Sequence, residues 1–323
     1  MAKPHFAPAV KVVVTPHRFP NLDPETEVLK PLGADLIPAQ DPEELERLLP
    51  EADALLVVNS RIDARRIALM ARCRAIVRYG IGVDSVDVAA ASKAGIPVGN
   101  VTDASTTEVA DHAVSLALAL LRRLPKAEAA VREGQWSIAP LRGARRLSTL
   151  TAGIVGVGQI GRAIATRFAA FGMDVIGHDP FASDAPVQTV QLEDLLSRSD
   201  VISLHLPLND QTTGLISAGR LRSLRSGAIL VNVSRGGLVD EDALVDALQA
   251  GALGGAALDV FATEPLAADS RLRSAPNVIL TAHSAWYSEE AAHDLQRKAA
   301  EQVARAFQGA HLTPIVNPEV YNR

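Results

Sequence analysis

Cysteines, surplus basic charge and long apolar runs are all scarce in this chain, and each shortage removes a class of function. Cys73 is the only cysteine, so no disulfide forms within the chain and a reducing compartment is expected. Lys and Arg number 32 against 37 Asp and Glu, a formal net charge of −5. With no basic stripe either, nucleic-acid binding has no electrostatic footing. No window reaches the ~18 uninterrupted apolar residues of a membrane span; the nearest, residues 113–121, is too short and has helical spacing. The opening MAKPHFAPAV lacks a charged stretch leading into an apolar core, so no secretory leader is expected. Aromatics are only 4% of the chain. A soluble cytoplasmic protein is the expectation, with no bound metal.

What remains is long enough and apolar enough for two cores. The chain has 323 residues with a hydrophobic fraction of 48%, more than one core usually supports. Apolar, largely β-branched runs at 10–14, 54–58 and 75–78, with shorter ones at 35–37 and 97–99, alternate with helical patterns. One of these, DPEELERLLP, offers Asp41 as N-cap and Pro42 at the first helical position. A long helix is expected over 105–124, then an extended arm or loop over 132–150. Strands resume at 153–157, 173–177, 200–204, 228–232, 255–258 and 278–281, and a last helix over 289–308 ends at Gly309. Strands alternating with helices imply parallel sheets covered on both faces. The tail HLTPIVNPEV is too small for its own core and is expected to pack back on the N-terminal part.

Residues 151–161, TAGIVGVGQIG, carry the most chemistry. An apolar strand runs into Gly156-x-Gly158-x-x-Gly161, and a helical pattern follows. Gly156 suits a tight strand-to-helix turn, Gly158 admits a pyrophosphate against bare backbone, and Gly161 lets helix and strand pack closely. The anion would rest on the N-terminus of the new helix. A second strand ends at Asp179, near the ~20-residue offset of a ribose-binding acid. Such a carboxylate repels a 2′-phosphate, and no Arg or Lys follows until Arg198, so NAD is expected over NADP.

Three further polar residues follow strands, on the edge where open α/β sheets bind ligands. They are Arg235 in VNVSRGGLVDE, Glu264 in FATEP and His283 in TAHSAW. Each alone reads as an ordinary surface or loop residue. Together, downstream of a dinucleotide turn, they supply a cation for a carboxylate, an acid for a carbonyl oxygen and a carboxylate to tune that acid.

With these motifs in order, the chain resembles the D-isomer-specific 2-hydroxyacid dehydrogenase family over nearly its full length. The matching stretches are RYGIGVDSVD, GIVGVGQIG, DLLSRSDVISLHLPLNDQT, VNVSRGGLVDEDAL, GGAALDVFATEP and TAHSAW. The resemblance implies two doubly wound parallel-sheet α/β domains. A Rossmann cofactor domain, 101–285, would be inserted in a flavodoxin-like catalytic domain built from 1–100 and 286–323. It implies hydride transfer between NADH and a 2-keto acid, with His283 as general acid/base, Glu264 orienting it and favouring the imidazolium, and Arg235 holding the substrate carboxylate. The Gly80–Ile81–Gly82 backbone would bind the carboxylate's other side, with Arg78 adding charge. Cofactor contacts would come from Gln159, Ile160, Asp179 and the Val233–Ser234 backbone, with Leu206 and Pro207 near the adenosine half and Asp259 near the nicotinamide amide. A homodimer is implied, through the 105–150 region, as is domain closure about hinges near 100–101 and 285–288.

Two departures bear on the substrate. Asn59 and Ser60 stand where phosphoglycerate dehydrogenases typically show Arg-Ser, which weakens a phosphorylated substrate, although Arg61 is adjacent. Ile81 replaces the lysine of phosphite dehydrogenases. HSAWYSEEA is similar to the C-terminal-binding protein branch of the family. There Trp286 would wall the pocket and favour a 2-keto acid with an apolar, aromatic or thioether side chain. The alternatives carried forward are a phosphoglycerate-dehydrogenase-like enzyme and an NAD-sensing, corepressor-like binding protein.

Overall fold

The computed structural model describes residues 10–182 and 184–322. The opening nine residues, where no leader is expected, fall outside the described residues. The chain forms two compact units: the residues up to Ser105 together with those from Ser288 on, and Thr106–Tyr287.

The first unit is a five-stranded parallel sheet. Its strands are β1 (Val10–Val14), β2 (Ala34–Pro38), β3 (Ala54–Val57), β4 (Ile76–Arg78) and β5 (Val98–Asn100), in the order β2-β1-β3-β4-β5. Helices cover both faces, so β3 is buried at every residue; this is why it reads as an unbroken apolar run rather than an alternating one. Leu55, Leu56 and Ile76 are fully buried, each worth about 1.5–3 kcal/mol of transfer energy. Asp41 caps the helix Pro42–Leu48 as its sequence predicts, accepting the Glu44 N–H at 2.8 Å. The helix Glu289–Phe307 is capped by Ser288 and stops before Gly309, whose φ of 74° only glycine adopts cheaply. The tail packs on the same unit: Asn317 Oδ1 accepts the Val98 N–H at 2.7 Å, and the Val316 N–H donates to the Val98 carbonyl at 2.8 Å. These bonds cover the outer edge of β5.

The second unit is a seven-stranded parallel sheet of β6 (Thr151–Val155), β7 (Asp174–His178), β8 (Gln188–Thr189), β9 (Val201–Leu204), β10 (Ile229–Asn232), β11 (Gly255–Leu258) and β12 (Val278–Leu280). The order is β12-β11-β10-β9-β6-β7-β8. The winding therefore reverses between β6 and β9, and a ligand crevice is expected outside the carboxyl ends at that point. Two apolar layers sandwich the sheet, one around Leu195, Leu230 and Leu258, the other around Ile154, Ile164 and Phe168. Between β11 and β12 a 3-10 turn, Arg271–Ser274, stands in place of a crossover α-helix.

Three features differ from the sequence reading or decide it. The long helix stops at Leu121, where Arg123 takes a left-handed φ of 53° and starts a second helix, Leu124–Arg132, with proline in its first turn. Of the two readings of 132–150, an extended arm or a loop, the segment is the loop, with two 3-10 turns, Ala139–Leu141 and Leu147–Thr149. Arg145 pins it, its Nη1 donating to Asp200 Oδ1 at 2.5 Å. The edge strand β8 has only two residues, both exposed and polar, so no apolar run announced it.

Candidate active site

The glycine turn of the second unit behaves as its spacing demands. Gly156 has a φ of 93°, and a Cβ there would sit 2.4 Å from the His205 carbonyl oxygen. At Gly161 a Cβ would fall 2.0 Å from the Gly156 oxygen, which is the close helix–strand approach. A Cβ on Gly158 would meet nothing within 4 Å, so open space lies over that backbone. The helix Gln159–Ala170 begins directly behind it and carries no side-chain cap, leaving the N–H groups of Gln159 and Ile160 to face an anion. Asp179 sits at the exit of β7; its Oδ2 accepts the Val157 N–H and its Oδ1 the Phe181 N–H, both at 2.9 Å. The carboxylate is thus fixed beside the turn. These residues fit a dinucleotide. Leu206 and Pro207 follow β9 and Val233–Ser234 follow β10, on the same edge. The Ser234 N–H, however, already donates to Asn232 Oδ1 at 3.1 Å.

Arg235, Glu264 and His283 follow β10, β11 and β12, three neighbouring strands whose last residues, Asn232, Leu258 and Leu280, are in register. His283 Nδ1 and Glu264 Oε2 are 2.7 Å apart. Glu264 Oε1 accepts the Phe261 N–H at 3.0 Å, so both of its oxygens are engaged. Partial burial pushes the Glu264 carboxyl up, but the hydrogen bonds from His283 and Phe261 and the charges of His283 and Arg235 outweigh it, and the net shift is downward. Arg235 donates from Nη1 to the Ser234 carbonyl at 2.7 Å, and Asn232 Nδ2 donates to the Arg235 carbonyl at 2.8 Å. Asn232 is buried and escaped the sequence reading, although an amide ending an apolar strand was a legible signal.

His283 has a left-handed backbone, φ 53°, which costs a non-glycine residue of order 1 kcal/mol. Asp259 holds it there. Its carbonyl accepts the His283 N–H at 2.7 Å, and its carboxylate accepts the N–H groups of Ser284 and Ala285 at 2.9 Å each and the Thr281 hydroxyl at 2.5 Å. His112 Nε2 lies 3.1 Å from the same hydroxyl. Asp259, for which the family resemblance implies a place by the nicotinamide amide, is wholly buried and committed to this turn. Trp286 donates its indole N–H to the His283 carbonyl at 3.0 Å and packs against the apolar layer that contains Ile154. It braces the turn from the other side.

In the first unit, Arg78 ends β4 and its side chain folds back over the next turn, where a Cβ on Gly80 would strike its Nη1 at 2.1 Å. Gly80 has a φ of 103°, a backbone that favours glycine, whereas the Arg78 side chain could shift to admit a Cβ. Asn100 Nδ2 donates to the Ile81 carbonyl at 2.7 Å, and the Ile81 side chain is 42% exposed. Gly82 completes the turn. Asn59 follows β3 and is exposed, as is Arg61.

A family model described as "D-isomer specific 2-hydroxyacid dehydrogenase, NAD binding domain" matches residues 114–285. The chain belongs to the D-isomer-specific 2-hydroxyacid dehydrogenase family. It is 40% identical over 283 residues to D-3-phosphoglycerate dehydrogenase of Mycobacterium bovis, covering 86% of this chain and 53% of that protein. The chain spans about half the length of the curated relatives it matches. Among solved structures, a protein from Thermus thermophilus is 34% identical with a TM-score of 0.88, covering 95% of this chain and 100% of that one. D-lactate dehydrogenase from Aquifex aeolicus, solved with NAD and lactic acid, is 28% identical with a TM-score of 0.85, covering 96% and 97%. For this dehydrogenase-family chain, the second unit is accordingly an NAD-binding domain of Rossmann type.

Proposed function

We propose that the protein is an NAD-dependent D-2-hydroxyacid dehydrogenase, interconverting a 2-hydroxy acid and its 2-keto acid. The observation that carries this reading is the 2.7 Å Glu264–His283 pair, set one strand over from Arg235 on the sheet edge that also bears the uncapped glycine turn. When bound, the nicotinamide gives or takes the hydride. Gln159, Ile160 and Gly158 would hold its pyrophosphate, and Asp179 the adenosine ribose. With Nδ1 engaged by Glu264, His283 exchanges the substrate proton through Nε2: it donates to the carbonyl oxygen on reduction and accepts from the hydroxyl on oxidation. Arg235 pairs with the substrate carboxylate through parallel N–H donors and draws charge from the carbonyl. Within the first unit, Arg78 and the Gly80–Gly82 backbone form a candidate carboxylate-binding turn, and in the second unit Trp286 is a candidate contact for the substrate's side chain.

Mixing the protein with NADH and a panel of 2-keto acids and following absorbance loss tests this. Turnover abolished in His283→Ala supports the reading. Intact NAD-bound protein that turns over no member of the panel favours a sensor of the corepressor-like kind.

A second reading is D-3-phosphoglycerate oxidation, favoured by the 40% identical relatives of that name. Asn59 and Ser60 in place of Arg-Ser argue against it, so the panel includes the phosphorylated keto acid beside apolar ones. Higher kcat/KM for an apolar or aromatic keto acid separates the two.

The protein is further read as a homodimer, supported by the exposed apolar side chains of Leu124, Val131, Trp136 (94% exposed) and Ile138 (78%) in one stretch. A monomer mass in solution contradicts this. A reducing, cytoplasmic setting is supported by the use of one cysteine, Cys73, in 323 residues. No helix among the described residues is long and apolar enough to cross a membrane.

A further inference from the structure

Beneath the 80–82 turn the first unit buries a carboxyl group that the chemistry above leaves unused. Glu25, in the short helix Asp23–Leu29, is fully buried. Burial pushes its carboxyl up, against the pull of its hydrogen bonds. Its Oε1 accepts the Tyr79 hydroxyl at 2.7 Å, and Gln296 Nε2 donates to both oxygens at 3.1 and 2.9 Å. The same Gln296 amide also donates to the Asn21 carbonyl at 2.9 Å. Gln296 lies on the helix Glu289–Phe307, which packs on Asp23–Leu29 and against β3 and β4.

A buried carboxyl is costly unless its lone pairs are met, and a tyrosine–leucine contact would have filled this space without that cost. The phenol is therefore held for its direction. Tyr79 continues the ladder of β4, its N–H donating to the Val57 carbonyl at 2.9 Å. By the alternation of a strand its side chain points away from the side taken by its neighbours Arg78 and Gly80. Phe19 packs on its ring, with centroids 5.1 Å apart. The turn thus hangs between two fixed points, the Tyr79 phenol before it and the Asn100 amide on the Ile81 carbonyl after it.

We infer that Tyr79 is a positioning residue for substrate, fixing through Glu25 and Gln296 the orientation in which Arg78 and the Gly80–Gly82 backbone meet the 2-keto acid's carboxylate. This rests on the reading of that turn as a carboxylate site, which is why Gly80→Ala is measured alongside.

Tyr79→Phe keeps the ring and removes the hydroxyl. The expected result is a KM for the 2-keto acid raised about tenfold, the scale of one hydrogen bond to a buried carboxyl, with kcat and the KM for NADH within about twofold. Glu25→Gln sets an amide N–H group against the Gln296 Nε2 donor and loosens the phenol's acceptor, so the keto-acid KM is expected to rise in the same direction as in Tyr79→Phe with the KM for NADH within about twofold; an unchanged keto-acid KM counts against the inference. Gly80→Ala that raises the keto-acid KM while Tyr79→Phe leaves it unchanged overturns the role of Tyr79 alone. If neither variant moves that KM, the carboxylate-turn reading falls and takes this inference with it. A fall in Tm accompanied by equal losses toward keto acid and NADH marks a merely structural role and also overturns it.

Discussion

The Oδ2 atom of Asp259 accepts the backbone N–H of Ala285 at 2.9 Å, two residues beyond the imidazole that it serves. Together with the Ser284 N–H and the Thr281 hydroxyl on Oδ1, this bond holds the left-handed His283 in place from a site with no solvent exposure. Asp259→Asn replaces one acceptor by a donor facing backbone N–H groups. We expect it to lower stability by about 2 kcal/mol and to reduce kcat more than it raises the KM for NADH. Denaturant melts and initial rates read both, and a variant with parental kcat removes the clamp from the account.

The Glu264 carboxyl titrates below the ordinary glutamate range in the folded chain. A depressed folded value means that its contribution to stability is complete above the unfolded value and is lost as pH falls through the folded one. The Tm difference between the parent and Glu264→Gln is therefore expected to be constant from neutral pH down to about pH 5 and to shrink below that. A difference that instead grows in acid would show the opposite linkage and remove the His283–Glu264 bond as its source.

Arg235→Lys keeps the charge and loses the fork. A point charge cannot reproduce two parallel N–H donors on a carboxylate, so kcat/KM for the keto acid is expected to fall about 100-fold, with cofactor binding retained. Parental kinetics in this variant would exclude Arg235 as the carboxylate clamp.

Asp179→Ala removes the carboxylate beside the glycine turn together with its bonds to the Val157 and Phe181 N–H groups. The NAD-over-NADP ratio of kcat/KM is expected to drop by about tenfold, because repulsion of a 2′-phosphate disappears with the charge. The ratio is measured with both cofactors at saturating keto acid; an unchanged ratio removes the ribose contact.

Much of this architecture was legible because buried parallel strands write themselves as apolar runs with polar punctuation. The runs 10–14, 153–157 and 228–232 stood out for the strands Val10–Val14, Thr151–Val155 and Ile229–Asn232, and so did residues just past their carboxyl ends. The roles given to Arg235, Glu264 and His283 came from position after a strand joined to family likeness. Nothing local announces the left-handed backbone of His283, since it is imposed by Asp259 across the sheet edge. Nor does any spacing join Glu25 to Gln296, which are 271 positions apart. The end of the long helix at Leu121 was missed because apolar spacing continues past it, whereas Arg123 turns the chain. Polar contacts between remote segments have no periodicity to read.

Arg235, Glu264 and His283 lie on the loops that leave three successive strands of one hydrogen-bonded ladder, whose strands are about 4.8 Å apart. Those loops start from fixed rungs inside an apolar sandwich, so a change in any one of them is expected to disturb the trio locally without moving its neighbours' anchors.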